Sequence, residues 1–160
     1  MEKRLRIIVC GVGFGQFYIR AIDKIKCKYK LVGILSRGSE WSKQWTKKYG
    51  VILYTDIDEI TKENVDVVCV VIKSTVVNGE GSTIVHSLLE KGINVIQEHP
   101  IDIDDYIMCI KIAQKNCCMY RLNTFYPQLS NVKQFIFLAG KLREKNDVQY
   151  INAECSVHVL

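Results

Sequence analysis

Short apolar runs and amphipathic stretches alternate along most of the chain. "LRIIVC" (residues 5–10) is apolar and strand-like, and a glycine loop leads from it into the helical stretch "FGQFYIRAIDKI" (14–25). "YKLVGILS" (29–36) predicts a second strand. "SEWSKQWTKKYG" (39–50) predicts a helix, with Ser39 placed to cap its start and Gly50 just past its end. "VILY" (51–54) is a short third strand and "DIDEI" (56–60) a single helical turn. "VDVVCVVI" (65–72) is apolar throughout, as a central parallel strand buried on both faces must be. "EGSTIVHSLLEKG" (80–92) predicts a helix stopped by Gly92, and "INVIQ" (93–97) the fifth strand. "DIDDYIMCIKIAQKN" (102–116) predicts a helix capped by Asp102, and "CMYRLN" (118–123) the sixth strand.

Strands alternating with helices specify an α/β fold, a doubly wound parallel sheet closed by right-handed crossovers. Residues 1–124 are assigned to this nucleotide-binding Rossmann domain. Beyond it the pattern changes. "YPQLSNVKQFIFLAGKLREKN" (126–146) reads as one long amphipathic helix, and "VQYINAECSVHVL" (148–160) alternates like a strand with one buried face. A lone strand cannot bury that face, so residues 125–160 read as the truncated start of an α+β substrate domain. The 160 residues are expected to be a fragment that keeps a folded Rossmann core but has no turnover.

Composition excludes several classes. Charged residues at 24% and hydrophobic ones at 48% suit a globular domain, and no apolar run reaches the length of a membrane helix. The basic start "MEKRLRIIVCG" has too short an apolar part for a signal peptide, which leaves the cytoplasm as the expected location. Net charge is +5, but the basic residues are dispersed. The densest run, "KIKCKYK" (24–30), reads as a solvated helix end rather than a nucleic-acid patch. Seven cysteines include no C-x-x-C pair, and Cys10 and Cys69 fall inside apolar strands. They are expected as reduced thiols, with no metal site.

Candidate chemistry gathers where strands end. "CGVGFGQF" (10–17) joins the first strand to the first helix, the setting in which a glycine loop holds a pyrophosphate on helix amides. Gly11 and Gly13 fit G-x-G-x-x-G; Phe14 follows, the third glycine stands at 15, and position 16 is Gln. The second strand ends in "SRGS" (36–39). An NAD site usually has an acid there for the ribose 2′-hydroxyl, whereas Arg37, with Ser36 and Ser39, suits a 2′-phosphate. NADP(H) is therefore the expected cofactor, although Arg37 could be an ordinary loop residue. After the fourth strand, "KSTVVNGEGS" (73–82) offers Ser74 and Thr75 near the nicotinamide half, or an ordinary surface loop. His86 reads as structural. The fifth strand runs into Glu98, His99 and Pro100, at the carboxyl edge where ligands of such sheets bind.

Taken together, "QEHP" (97–100), "NTFYP" (123–127) and "STVVNGEG" (74–81) resemble the thiazolinyl imide reductases of siderophore assembly lines, of the yersiniabactin and pyochelin type. These are similar to the wider glucose–fructose oxidoreductase and inositol dehydrogenase superfamily, in which a Rossmann domain precedes an open-sheet substrate domain. The superfamily usually ends its fifth strand in Glu-Lys-Pro with a catalytic lysine; here His99 stands at that position, as in the imide reductases. The resemblance implies NADPH-dependent reduction of a thiazoline C=N to a thiazolidine, on an intermediate tethered to the carrier domain of a nonribosomal peptide synthetase. It implies His99 and Tyr126 as catalytic acids, Glu98 as a residue orienting the loop and ligand, and a homodimer at full length. Pro100 is a candidate for a cis peptide bond. His99 could instead cap the following helix, and Tyr126 could be core packing. Two other functions stay open: another NADP-dependent oxidoreductase of the superfamily acting on a small carbonyl compound, or a non-catalytic nucleotide sensor.

Overall fold

The computed structural model describes residues 3–72, 79–124, 126–145, 147 and 150. The chain divides into a unit of Met1–Asn123 and a unit of Thr124–Leu160. In the first unit the apolar runs form β1 (Leu5–Cys10), β2 (Tyr29–Leu35), β3 (Ile52–Tyr54), β4 (Val67–Val70), β5 (Asn94–Glu98) and β6 (Tyr120–Asn123). All pair in parallel, in the order β3-β2-β1-β4-β5-β6. The strand order reverses direction between β1 and β4, the point at which doubly wound sheets open a crevice. This is the Rossmann-type α/β fold that the alternation predicts.

Helices α1 (Gly15–Lys24), α2 (Glu40–Tyr49), α3 (Glu80–Glu90) and α4 (Ile103–Lys115) connect the strands. Two apolar cores result. Ile7, Val9, Ile34 and Cys69 from the sheet pack with Ile19 and Ile22 of α1 and Trp45 of α2. Ile8, Cys10, Val68, Val70 and Val95 pack on the other face with Val85, Leu88 and Leu89 of α3 and Cys109 and Ala113 of α4. Beyond Arg6, β1 is thus buried on both sides, which explains the apolar run Ile7–Cys10.

Local signals place the helix ends. Ser39 caps α2 by accepting from the Ser42 amide, and Gly50 ends it in the left-handed region at φ 62°. Asp102 caps α4 by accepting from the Asp104 amide, so His99 is not that helix's cap. The "DIDEI" turn is a one-turn 3-10 helix at Ile57–Glu59.

The second unit departs from expectation. A 3-10 turn at Tyr126–Gln128 precedes α5 (Ser130–Arg143), so one continuous helix over 126–146 does not form. The break falls at Leu129, which is extended at φ −66° and ψ 139° and serves as the N-cap of α5. No described residue of α5 is buried, and Phe135, Ile136, Phe137 and Leu138 are exposed in succession. The strand expected at 148–160 lies outside the described residues. No helix among those described is long and apolar enough to cross a membrane.

At the amino edge of the sheet Arg6 and Asp66 tie β1 to the start of β4. The guanidinium donates from Nη2 to Oδ1 at 2.8 Å and from Nε to Oδ2 at 3.1 Å, and the Arg6 amide donates to Oδ2 at 2.7 Å. The Arg6 guanidinium holds the Asp66 carboxyl down from 3.8 to about 2. A carboxylate with a depressed folded value stabilises the fold above its unfolded value and loses that contribution as pH falls toward the folded one. Acid unfolding followed by circular dichroism should therefore show stability falling from pH 3.8 toward 2. Asp66→Asn should lower stability at neutral pH and reduce the slope in that window by up to about one proton.

Candidate active site

The glycine loop meets the steric demands of a pyrophosphate cradle. Gly11 sits at φ +89°, and a Cβ there would come 2.9 Å from the Val71 carbonyl oxygen. At Gly15 a Cβ would meet Val9 Cγ1 at 3.0 Å, so a glycine lets α1 lie close on β1. A Cβ on Gly13 would meet nothing within 4 Å, which leaves backbone facing open space where a ligand can approach. Gln16, at the place of the third fingerprint glycine, donates from Nε2 to the Gly13 carbonyl at 2.9 Å. The N-cap of α1, Phe14, supplies no side-chain acceptor, and the first turn carries no acid. The Phe17 amide donates to the Phe14 carbonyl at 3.1 Å, but no side chain caps the start of the helix, which leaves the positive end of its dipole to an anion. These residues fit the diphosphate of a nicotinamide dinucleotide.

The β2 end also fits a phosphate. Arg37 is exposed and makes no ion pair among the described residues, and no acid occupies residues 36–39. Ser36 Oγ accepts from the Gly38 amide at 3.2 Å, and Ser39 Oγ from the Ser42 amide at 3.2 Å. Each hydroxyl thus spends an acceptor site on the backbone; Ser39 Oγ also donates to Ser42 Oγ at 3.3 Å, so it is the Ser36 proton that remains to donate. Ser74 and Thr75 lie outside the described residues.

The carboxyl end of β5 carries the most connected polar group. Along β5 the side chains alternate: Val95 joins the α3–α4 core, Ile96 packs toward α1 and α2, and Gln97 is fully buried. The Gln97 amide oxygen accepts from the Tyr120 hydroxyl at 2.6 Å. The same alternation turns Glu98 to the α1 side, where Tyr18 is. Register places Asn123 of β6 opposite Glu98. Glu98 Oε2 accepts from the Tyr18 hydroxyl and from Asn123 Nδ2, the latter at 2.9 Å. Its Oε1 lies 2.6 Å from His99 Nδ1. The Glu98 side chain is 12% exposed and that of His99 37%. His99 Nδ1 is also 3.1 Å from the Asn123 carbonyl oxygen.

Both neighbours of Nδ1 are acceptors, so Nδ1 carries a proton. Proton exchange at His99 then falls to Nε2. The Tyr18 hydroxyl is held far above its ordinary titration range, first by burial and then by its bond to the Glu98 carboxylate, so it stays a donor. The expected cis bond is present at His99–Pro100.

Sequence reasoning missed Tyr18 and Asn123. Two signals existed. A tyrosine on the buried side of α1 needs a hydroxyl partner, and the last residue of β6 must face the last residue of β5. Tyr126, by contrast, opens the 3-10 turn of the second unit. His86 lies within α3, its Nε2 buried and bonded to nothing among the described residues. Cys10 and Cys69 are core thiols pushed up to about 12 by burial, so neither is a ready nucleophile. No group of three His, Cys, Asp or Glu side chains able to hold a metal occurs among the described residues.

Solved structures share this fold. The apo scyllo-inositol dehydrogenase from Lactobacillus casei superposes with a TM-score of 0.75 at 20% identity, over 91% of this chain and 44% of its own. The WlbA dehydrogenase from Bordetella pertussis, in complex with NADH and UDP-GlcNAcA, gives 0.75 at 14% identity, over 88% of this chain and 43% of its own. KijD10, a 3-ketoreductase from Actinomadura kijaniata in complex with TDP-benzene and NADP, gives 0.71 at 17% identity, over 87% and 44%. The chain thus spans less than half the length of these proteins. No curated protein matches its sequence. A family model described as the oxidoreductase family with NAD-binding Rossmann fold matches residues 5–124, and through that match the chain belongs to the GFO_IDH_MocA family.

Proposed function

We propose that the protein is an NADPH-dependent reductase of a thiazoline C=N, converting it to a thiazolidine on a siderophore intermediate carried by a nonribosomal peptide synthetase. One observation carries the reading. A histidine stands at the end of β5, its Nδ1 held by Glu98 Oε1 and the Asn123 carbonyl, in the position where the resemblance replaces the superfamily's lysine. NADPH, when held by the glycine loop and the end of β2, would supply the hydride for the imine carbon, and the nitrogen, left with the C=N π pair, would need a proton. The residues of the chain do the rest. In its imidazolium form His99 can give the Nε2 proton to the ring nitrogen, while Glu98 keeps Nδ1 protonated and the ring oriented. Tyr126 is the second proton donor that the resemblance implies. Gly11, Gly13, Phe14 and Gly15 receive the diphosphate, Ser36, Arg37 and Ser39 the 2′-phosphate, and Ser74 and Thr75 the nicotinamide half. The whole protein is a cytoplasmic homodimer that docks the carrier domain.

A second reading is favoured by the solved neighbours, which are named as inositol and sugar-nucleotide dehydrogenases or a ketoreductase. It is NADP-dependent redox chemistry on a small carbonyl compound. Following NADPH absorbance separates the two. The full-length protein, rather than these 160 residues alone, should oxidise NADPH with a thiazoline thioester mimic and leave inositols and keto-sugars untouched; the reverse pattern would establish the second reading.

Cofactor choice is the first expected outcome. A charge-assisted bond is worth about 1.5–3 kcal/mol, or about one to two decades in affinity. NADPH should bind at least about tenfold more tightly than NADH in a fluorescence titration, and Arg37→Asp should reverse the order. Equal affinities would remove Arg37 from the phosphate site.

The proton donor is the second. General acid catalysis contributes about 10²- to 10⁴-fold, so His99→Asn should lower kcat by at least about 100-fold with NADPH affinity unchanged. Tyr126→Phe tests the second donor in the same assay. If the double substitution leaves kcat nearly intact, neither residue is a catalytic acid.

A further inference from the structure

We infer that Tyr18, with Asn123, is a positioning residue that fixes the Glu98 carboxylate and so sets which nitrogen of His99 carries the exchangeable proton. The inference rests on the reading of His99 as proton donor, and it adds residues that neither the glycine fingerprint nor the family resemblance assigns.

Geometry supports it from both oxygens of one carboxylate. Oε2 receives two donors, the Tyr18 hydroxyl from α1 and Asn123 Nδ2 from β6. Asn123 Nδ2 also donates to the Tyr18 hydroxyl oxygen, which closes a triangle of three side chains. Oε1 is left for His99 Nδ1 at 2.6 Å. The terminal torsion of a glutamate is soft and roughly two-fold, so a carboxylate held at one oxygen only can turn its other oxygen away. Two donors on Oε2 remove that freedom. The site is also dry: the Glu98 side chain is 12% exposed, so water is a poor substitute for a missing donor.

The Asn123 carbonyl at 3.1 Å is a neutral and longer contact for His99 Nδ1. The charged acceptor at 2.6 Å favours a proton on Nδ1 more strongly than that carbonyl can. Loss of the Tyr18 hydroxyl leaves Oε2 with the Asn123 donor alone and weakens this hold, so it should raise the share of the other tautomer, with the proton on Nε2 and Nδ1 bare. In that form no Nδ1 proton engages Glu98. Tyr18 lies one turn into α1, the helix whose start forms the glycine loop, so it joins the cofactor-binding element directly to the end of β5.

The test is the ¹⁵N spectrum of the histidine side chains in the uniformly labelled full chain, without substrate. His99→Asn assigns the resonances by their disappearance. In the wild type the His99 signals should show a proton on Nδ1. In Tyr18→Phe, which keeps the ring and removes only the hydroxyl, they should move toward the Nε2-protonated pattern. Turnover should fall about tenfold in kcat, with NADPH affinity within about twofold. Unchanged His99 signals in a folded Tyr18→Phe protein would overturn the inference. If that variant fails to fold, Asn123→Ala removes the second donor to the same oxygen and is judged by the same shift. A shift in the spectrum without any loss of imine reduction in His99→Asn would leave the positioning role standing and sink the catalytic role of His99 instead.

Discussion

Parallel pairing of β1 with β4 sets the level of everything at the carboxyl edge of the sheet. Ile7 to Cys10 align with Val67 to Val70, and both strands are apolar on the two faces they present to the cores. Such a pair forms only with helices covering both faces, which the alternating sequence provides. Once it forms, β5 and β6 add in register beyond β4, and β2 and β3 add beyond β1. The loops that leave β1 and β2 then open on one side of the switch point, and those that leave β5 and β6 open on the other. Dinucleotide and reacting group can therefore meet across the crevice without any long-range adjustment of the strands.

Within that frame Glu98 has an unusual position for a carboxylate. It is largely buried, and a buried charge is tolerated only where hydrogen bonds replace its water. Three donors do so: Tyr18 of α1, Asn123 of β6 and its own neighbour His99. The arrangement joins the first helix to the last strand of the unit, and it leaves the imidazole with a defined proton inventory. Tyr120 and Gln97 form a separate pair on the opposite face of the same strands, also satisfied. Adjacent residues of β5 thus face different partners because the strand alternates: Gln97 pairs with Tyr120, and Glu98 holds the imidazole of His99.

Much of the Rossmann unit was legible in the sequence because its signals are local. Continuous apolar runs mark strands buried on both faces, Ser39 and Asp102 announce helix starts, and Gly50 and Gly92 announce stops. The glycine loop and the absence of an acid after β2 are likewise readable within a few residues. The brace around Glu98 was not, because Tyr18 is 80 residues away from Glu98 and 105 from Asn123. Only strand order, register and the alternation of β5 bring them together. Residues 126–146 misled for a different reason. Their apolar content suggested one helix, while the extended backbone of Leu129 delays the start of α5 to Ser130, and no described residue of α5 is buried. The function beyond the family rests on His99 at the lysine position and stays a proposal.

A crystal structure of the full chain with NADP⁺ and a thiazoline analogue tests the central claim, that the end of β5 is where the proton is delivered. The account predicts the diphosphate on the Gly11–Gly15 loop, the 2′-phosphate against Arg37, and His99 Nε2 within about 3 Å of the analogue's ring nitrogen. An analogue nitrogen facing water or another side chain, with the imidazole turned away from it, would contradict the account.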